Sequence, residues 1–255
     1  MGNAVKDQVL WKLRGNLAEL NSGKLSARTD ASRPNEGLQH VTFDGAKLAT
    51  DLLCVYRSDV IDNKSWPLPA AESYVRGRDL VASYHATNDW PFSPQLYWRA
   101  NSLHGANGVL ASISLLVSVQ THLLDTVPQI AVSSQVSCDE TLLVSVNDDG
   151  QLNAVLTDSS QTIPRTNEDC CIVSRLKDIS LSYVEIMPAG DFHAIRIIEE
   201  GNRTAFEWRL FDEFLEKGVI RRARVHAAIV PRDKDIESAA ECCKAIDGLE
   251  LPLTT

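Results

Sequence analysis

Short segments of alternating apolar and polar residues, separated by glycine turns, recur through most of this chain. Pairs such as Asp44-Gly45 and Asp149-Gly150 stand between segments rich in β-branched and aromatic residues. Successive side chains of a strand point to opposite faces, so such segments bury one face and expose the other. The pattern predicts a mainly β protein made of antiparallel, sandwich-like sheets. The expected strands are 40–43, 47–56, 74–85, 95–99, 109–120, 130–136, 141–146, 152–156, 180–186, 192–198, 204–210 and 219–230.

Helical spacing is confined to the two ends of the chain. Asp235 can cap a C-terminal helix whose apolar residues, including Ala240 and Ile246, recur at intervals of three and four before Gly248. The segment 4–20 also fits a helix, although its glycine and tryptophan allow a strand instead. Residues 21–37 are rich in polar residues and are expected to form a long loop.

A weak repeat suggests two pseudo-duplicated halves. Trp98-Arg99 recurs as Trp208-Arg209, and Gly108 recurs as Gly218 at the same spacing. We therefore expect a β-rich half over 1–125, with the N-terminal helical or extended segment, and a second over 126–255 with the C-terminal helix. The two halves can equally form one continuous domain.

Composition restricts the class of protein. The chain has 255 residues, 44% of them hydrophobic and 23% charged, with a formal net charge of −9. An acidic surface repels phosphate backbones, so we expect no nucleic-acid partner. No apolar run is long enough to span a bilayer, so no membrane association is expected. The six cysteines form no CxxC pair, which predicts free thiols in a cytoplasmic protein.

Common catalytic motifs are absent from the sequence. It contains no GxGxxG, Walker A, HExxH or GxSxG motif, and no histidine pair at metal-binding spacing. We therefore expect no cofactor and no metal.

Three groups of residues are candidates for a ligand site. The first is the pair of His85 and Asp89 near a strand end. A histidine and a carboxylate can exchange protons, and two arginines and a tryptophan lie nearby in the sequence. Another is a set of carboxylates and a histidine in the second half, with a glutamate pair expected to face each other across a hairpin. The third is the flat aromatic surface of Tyr97 or of a tryptophan, which could stack on a sugar ring. The candidate residues of the first two groups are His85, Asp89, Trp90, Arg76 and Arg78, then His193, Glu199 and Glu207.

Two functions remain open from the sequence. The leading hypothesis is a non-catalytic binding or assembly module that binds itself, as a homo-oligomer, or another protein, since the chain is β-rich and lacks catalytic motifs. The alternative is an enzyme or binder acting on a carbohydrate-like small molecule through tryptophan, histidine and carboxylate side chains. A pocket lined by such side chains would favour the alternative.

Overall fold

The computed structural model describes residues 10–48, 51–59, 66–103, 105–146, 152–157, 160–165, 170–201 and 203–247. Antiparallel strands dominate them, and one helix follows the last strand. The strands are β1 (Trp11–Arg14), β2 (Leu17–Ser22), β3 (Leu25–Asp30), β4 (Gln39–Phe43), β5 (Ala46–Lys47), β6 (Asp51–Arg57), β7 (Ala70–Arg76), β8 (Asp79–Tyr84), β9 (Phe92–Ala100), β10 (Ala111–Thr121), β11 (Ile130–Val146), β12 (Leu152–Leu156), β13 (Gln161–Pro164), β14 (Cys170–Leu176), β15 (Leu181–Met187), β16 (Ala194–Glu200), β17 (Arg203–Arg209) and β18 (Ile220–Pro231), and the helix is α1 (Asp235–Asp247).

Strand β11 joins the two layers of the large sheet. Its first half pairs with β6 and β17, and its second half pairs with β12 and β14. One layer therefore runs β7-β8-β9-β10-β18-β15-β14-β11, and the other runs β11-β17-β16-β13. Strands β1 to β5 form a separate small sheet. Every pairing between these strands is antiparallel, as the alternating sequence pattern predicts.

The core lies between these layers and is built from the inward-facing residues of alternating strands. Trp98 on β9 and Trp208 on β17 have no exposed surface, and Trp11 on β1 is 1% exposed. Burying a tryptophan removes about 150 to 250 Å² of surface from water, so these side chains contribute strongly to the stability of the sandwich.

One carboxylate is buried in this core. Glu185 on β15 has no exposed surface and accepts hydrogen bonds from the Tyr183 hydroxyl and, at 2.6 Å, from Trp208 Nε1. Burial raises its pKa to about 6, although these donors and Ser134 oppose that shift. The interior is therefore not purely apolar, and its polar cluster extends to Ser134, whose hydroxyl lies 3.3 Å from that of Tyr183.

The C-terminal helix matches the sequence prediction. It packs against β11, β12, β14, β15 and β18, with Ala239, Cys243 and Ile246 buried in the contact. Its first residue is anchored, because Asp235 accepts hydrogen bonds from Ser182 Oγ at 2.8 Å and from an arginine on β14.

Of the two alternatives left open for the N-terminal segment, helix or strand, the described residues adopt the strand. Where a helix was expected over 4–20, β1 and β2 form a hairpin around Gly15, which has a φ of 59°. Apolar residues that fit a helical face also fit two strands once this turn is known. The expected loop over 21–37 contains β3, and β14 was not predicted. The prediction for residues 4–9 lies outside the described residues.

The proposed halves share one sheet. Strand β10 of the first half pairs with β18 of the second along its whole length. However, β9 and β10 are neighbours in one layer, whereas β17 and β18 lie in different layers. This difference in strand order does not favour a duplication, which stays a prediction together with the boundary at 125.

Candidate functional site

The outer face of the long layer is only partly covered. Helix α1 packs over β14, β15 and the adjoining part of β18, where the outward-facing residues are apolar. Over β7, β8, β9, β10 and the first part of β18, the outward-facing residues are largely polar and charged. This second region is the strongest candidate for a ligand site, and we call it the platform.

The platform consists of three cross-strand rows, each with one residue from β7, β8, β9, β10 and β18. The register gives the rows Arg76-Asp79-Arg99-Ser114-His226, Tyr74-Val81-Tyr97-Leu116-Arg224 and Glu72-Ser83-Gln95-Ser118-Arg222. Residues directly opposite each other on neighbouring strands lie about 4.5 to 5.5 Å apart at Cβ. The rows therefore gather four arginines, two acidic residues, two tyrosines and a histidine on one surface.

A buried ion pair fixes one part of the platform. Arg99 donates to both oxygens of Asp79, at 2.7 Å from Nε and 2.8 Å from Nη2. The Asp79 side chain is 5% exposed, and Arg76 lies 4.0 Å from the same carboxylate. The hydrogen bond to Asp79 raises the pKa of Arg99. This bidentate geometry holds the guanidinium of Arg99 rigidly, so its remaining N–H donors have a defined direction.

A buried histidine ends the same row. The Ser114 hydroxyl and Nδ1 of His226 are 2.6 Å apart. Burial, and secondarily the charge of Arg224, lowers the pKa of His226 to about 3, so the ring is neutral at pH 7. Its Nε2 is buried and has no hydrogen-bond partner among the described residues. A buried polar atom without a partner costs about 1 to 3 kcal/mol, so a ligand group or a water that reached Nε2 would be stabilised.

A third carboxylate approaches the platform from a loop. Asp191 accepts from the backbone N–H of Arg224 at 2.9 Å and from its Nε at 3.2 Å. Strand β15 pairs with β18 only as far as His226, so the Arg224 N–H lies beyond that pairing and is available to Asp191. Burial raises the pKa of Asp191, although Arg224 opposes the shift. Asp191 is therefore a carboxyl group suited to proton exchange nearer neutrality than a solvated aspartate.

An apolar strip crosses the middle of the platform. Val81, Tyr97 and Leu116 form a small buried cluster, and Tyr74 packs against it. The Tyr97 hydroxyl donates to Gln95 at 2.9 Å. Tyr74 is the half-buried member of this strip, whereas Val81, Tyr97 and Leu116 are at most 4% exposed, so a ligand would meet the apolar strip at Tyr74.

No metal site is visible in the part of the chain that the structure describes. No three histidine, cysteine, aspartate or glutamate side chains converge there. The described residues also contain no helix of the length and apolarity that crossing a bilayer requires.

Known proteins resemble this chain in structure but not in sequence. No family model and no curated protein matches it. A galactose mutarotase-like protein from Lactobacillus casei superposes with a TM-score of 0.54 at 9% identity, covering 84% of this chain and 99% of the other. The fold is mutarotase-like. A protein from Klebsiella pneumoniae, provisionally described as an aldose 1-epimerase, gives 0.56 at 10% identity over 92% and 86% of the two chains. A galactose mutarotase related enzyme from Lactobacillus acidophilus gives 0.51 at 11% identity over 86% and 99%.

The mutarotase-like fold corrects the leading functional hypothesis. A non-catalytic binding or assembly module was favoured because no catalytic motif was found, and that preference is wrong. The proteins that share the fold are described as galactose mutarotase-like, galactose mutarotase related or an aldose 1-epimerase, and the carbohydrate alternative is a proposal for this chain.

The structure distributes the first group of candidates over four places. Arg76 lies on the platform, whereas Arg78 donates to the backbone carbonyl of Asn101 at 3.3 Å. Trp90 is buried, and its Nε1 donates to the Pro128 carbonyl at 3.3 Å. His85 and Asp89 are exposed and, in the described part of the chain, form no hydrogen bond or ion pair. Their role as ligand contacts stays a prediction.

The second group is also separated. Glu199 lies opposite Thr204 and Glu207 lies opposite Arg196, so the two carboxylates are on opposite faces of the β16–β17 hairpin. The expected pair across the hairpin is therefore wrong, because its register places them on strand positions of different parity. Glu207 accepts from the Tyr56 hydroxyl at 2.6 Å, and this contact is not on the platform.

His193 lies in a different part of the fold. Its Nε2 is 3.5 Å from Asp212 Oδ2, and both side chains are substantially exposed. The small pocket beside them, of about 20 Å³, is below the size of a ligand site.

Sequence reasoning missed most of the platform. The alternation of a strand places Arg222 and Arg224 on one face, but it does not connect them with Arg99 and His226. Strand parity is readable from the sequence, whereas the pairing of β10 with β18 is not. The aromatic contribution comes from Tyr97 and Tyr74, while Trp98 and Trp208 are core residues.

Proposed function

We propose that this protein binds a sugar on the platform and catalyses the interconversion of its anomers. The observation that carries the proposal is the set of three cross-strand rows, which bring charged, hydroxyl and aromatic groups together on one face of a mutarotase-like fold. Sugars present hydroxyl groups around an apolar ring, and the platform offers donors and acceptors around an apolar strip.

The reaction requires a proton to leave the anomeric hydroxyl and a proton to reach the ring oxygen, followed by the reverse transfers. Asp79 is held by Arg99, which leaves two groups for proton exchange. Asp191 has a carboxyl pKa raised by burial, and His226 is a neutral imidazole with one nitrogen unpartnered among the described residues. We propose Asp191 and His226 as the proton-exchanging pair, with Arg222 and Arg224 orienting hydroxyl groups.

The test measures anomer interconversion above the spontaneous rate. Freshly dissolved α-anomers of several aldoses, and of their phosphorylated or carboxylated forms, are followed by polarimetry and by one-dimensional NMR. The charged sugars belong in the panel because the three rows carry four arginines against two acidic residues, in a protein of net charge −9. We expect acceleration for at least one sugar and its loss in Asp191→Asn.

Matched variants separate binding from chemistry. Asp191→Asn should lower kcat about 100-fold with a smaller change in KM, since it removes a proton-exchanging group. Arg222→Gln should mainly raise KM. Arg196→Gln removes the same charge from an exposed position on β16, away from the platform, and should change neither. Absence of both acceleration and binding across the panel would refute the proposal.

Location and assembly are separate proposals. All six cysteines are free in the structure, which supports a reducing compartment such as the cytoplasm. Homo-oligomerisation stays a prediction that gel filtration with light scattering can test.

A further inference from the structure

A second cavity lies on the side of the molecule where the small sheet meets β6, β11 and β17. Its volume is about 320 Å³, within the range of small-molecule sites. The polar residues that line it are Gln39, His40, Lys47, Asp51, Gln135 and Arg203, and Leu48 is the buried apolar member. We call this cavity the groove. It shares no lining residue with the platform.

The charges of the groove favour an anion. Lys47 and Arg203 are permanent cations at neutral pH, and Asp51 is the one carboxylate in the lining. Within the described residues none of these three side chains forms an ion pair, although most other arginines of the chain do. Two cations that face a cavity without a protein partner keep their donors available to a ligand.

The backbone around the groove departs from regular strand geometry, and this departure sets the positions of the lining residues. His40 has a φ of 51°, and Leu53 on β6 has a φ of 56° at a break in the β6–β11 register. Non-glycine residues with a positive φ are uncommon, and they concentrate at functional sites where the surrounding structure holds the strained backbone. The register break sets the position of Asp51 opposite Gln135, and bulges of this kind redirect side chains at sheet edges.

Close packing holds the two sheets together beside the groove. Gly37 has a φ of 64°, and a Cβ there would overlap the Leu52 carbonyl. The segment leading into β4 therefore approaches β6 as closely as a glycine allows, and the backbone of Leu38 donates to the Leu52 carbonyl at 2.7 Å. The walls of the groove are thus preformed, which lowers the cost of ordering them around a ligand.

We propose that the groove is a second ligand site that binds a small oxyanion, a carboxylate or a phosphate, carried by a hydroxyl-bearing molecule. Lys47 and Arg203 contact the oxyanion. The amides of Gln39 and Gln135 each offer donors and an acceptor to hydroxyl groups. This site is independent of the platform and does not require anomer interconversion there.

The experiment measures binding to the full chain by isothermal titration calorimetry. Inorganic phosphate, D-gluconate and glucose 6-phosphate are titrated at constant ionic strength, with chloride as the control anion. Phosphate and gluconate distinguish the two oxyanions, and binding of either one supports the proposal. Saturable binding of neither, beyond the effect of chloride, overturns it.

Variants assign the binding to the groove. Arg203→Gln should raise Kd about tenfold, since it removes charge-assisted hydrogen bonds. Lys47→Gln should weaken binding as well, whereas Arg196→Gln, an exposed arginine outside the groove, should leave Kd within about twofold. Asp51→Asn should tighten binding, a gain that a misfolded protein could not produce. If Arg222→Gln on the platform abolishes binding while Arg203→Gln does not, the ligand lies on the platform and the groove proposal is wrong.

Discussion

The buried carboxylate in the core makes the stability of this protein depend on pH. Glu185 has no exposed surface, and its hydrogen-bond donors are the Tyr183 hydroxyl and Trp208 Nε1. We consider the substitution Glu185→Gln. The amide oxygen can still accept from Trp208, and the amide N–H₂ can donate to the Tyr183 hydroxyl, which can turn its own hydrogen toward Ser134.

The magnitude follows from the pKa in the two states. Burial raises the pKa of Glu185 to about 6 in the folded protein, against 4.5 in the unfolded chain. Below pH 4.5 both states hold the proton and the free energy of unfolding has no contribution from this titration. Between these values the unfolded chain loses its proton first, so stability falls as pH rises. Above pH 6 the loss is complete at about 2 kcal/mol.

The assay is urea unfolding followed by tryptophan fluorescence at a series of pH values. Between pH 5 and 7.5 the free energy of unfolding of wild type should fall relative to Glu185→Gln by about 1 kcal/mol, the part of the total that lies in this range. Glu241→Gln, on the outer surface of α1, is the control and should run parallel to wild type. Parallel curves for wild type and Glu185→Gln would refute the assignment of a raised pKa to this group.

Three further predictions concern packing and thiols. Gly108→Ala should destabilise the fold by about 2 kcal/mol or more, because its φ is 82° and the methyl group would overlap Ser238. Gly218→Ala, with a φ of 78° and open space around it, should cost about 1 kcal/mol, and equal costs for the two variants in chemical denaturation would contradict the contact with Ser238. Ala239→Glu on α1 should cost about 3 kcal/mol or more, since it places a charge in a fully buried contact, and an unchanged melting temperature would show that α1 is not packed there. The six thiols should all alkylate after denaturation without reductant, and mass spectrometry that finds fewer than six adducts would indicate a disulfide.

Local features of the fold could be predicted from the sequence, and features that depend on distant pairing could not. The hairpin of β16 and β17 turns at Gly201, and α1 begins at Asp235, because both signals lie within a few residues of the structure they specify. The sequence could not decide between helix and strand for the N-terminal segment, because Leu13, Leu17 and Leu20 satisfy a helical spacing as well as two short strands. Only packing against the rest of the chain distinguishes these possibilities.

The candidate site was harder to predict for the same reason. Asp79 and Arg99 are 20 residues apart and become partners only when β8 and β9 align in one register. Ser114 and His226 are 112 residues apart and meet through the pairing of β10 with β18. A sequence search for short motifs does not detect either pair, whereas it does detect His85 and Asp89, which the described structure leaves without partners.

The pairing of β10 with β18 has a consequence for the synthesis of the protein. Its central residues, such as Ile113 and Ala227, are separated by 114 positions, and β18 is the last strand in the described part of the chain. A ribosome adds about 5 to 20 residues per second, so β10 waits several seconds with its edge unpaired before its partner emerges. During that interval the nascent chain exposes strand edges that can pair with other chains. We therefore expect the platform to form only after β18 has been synthesised, and chains that stop before β18 to aggregate.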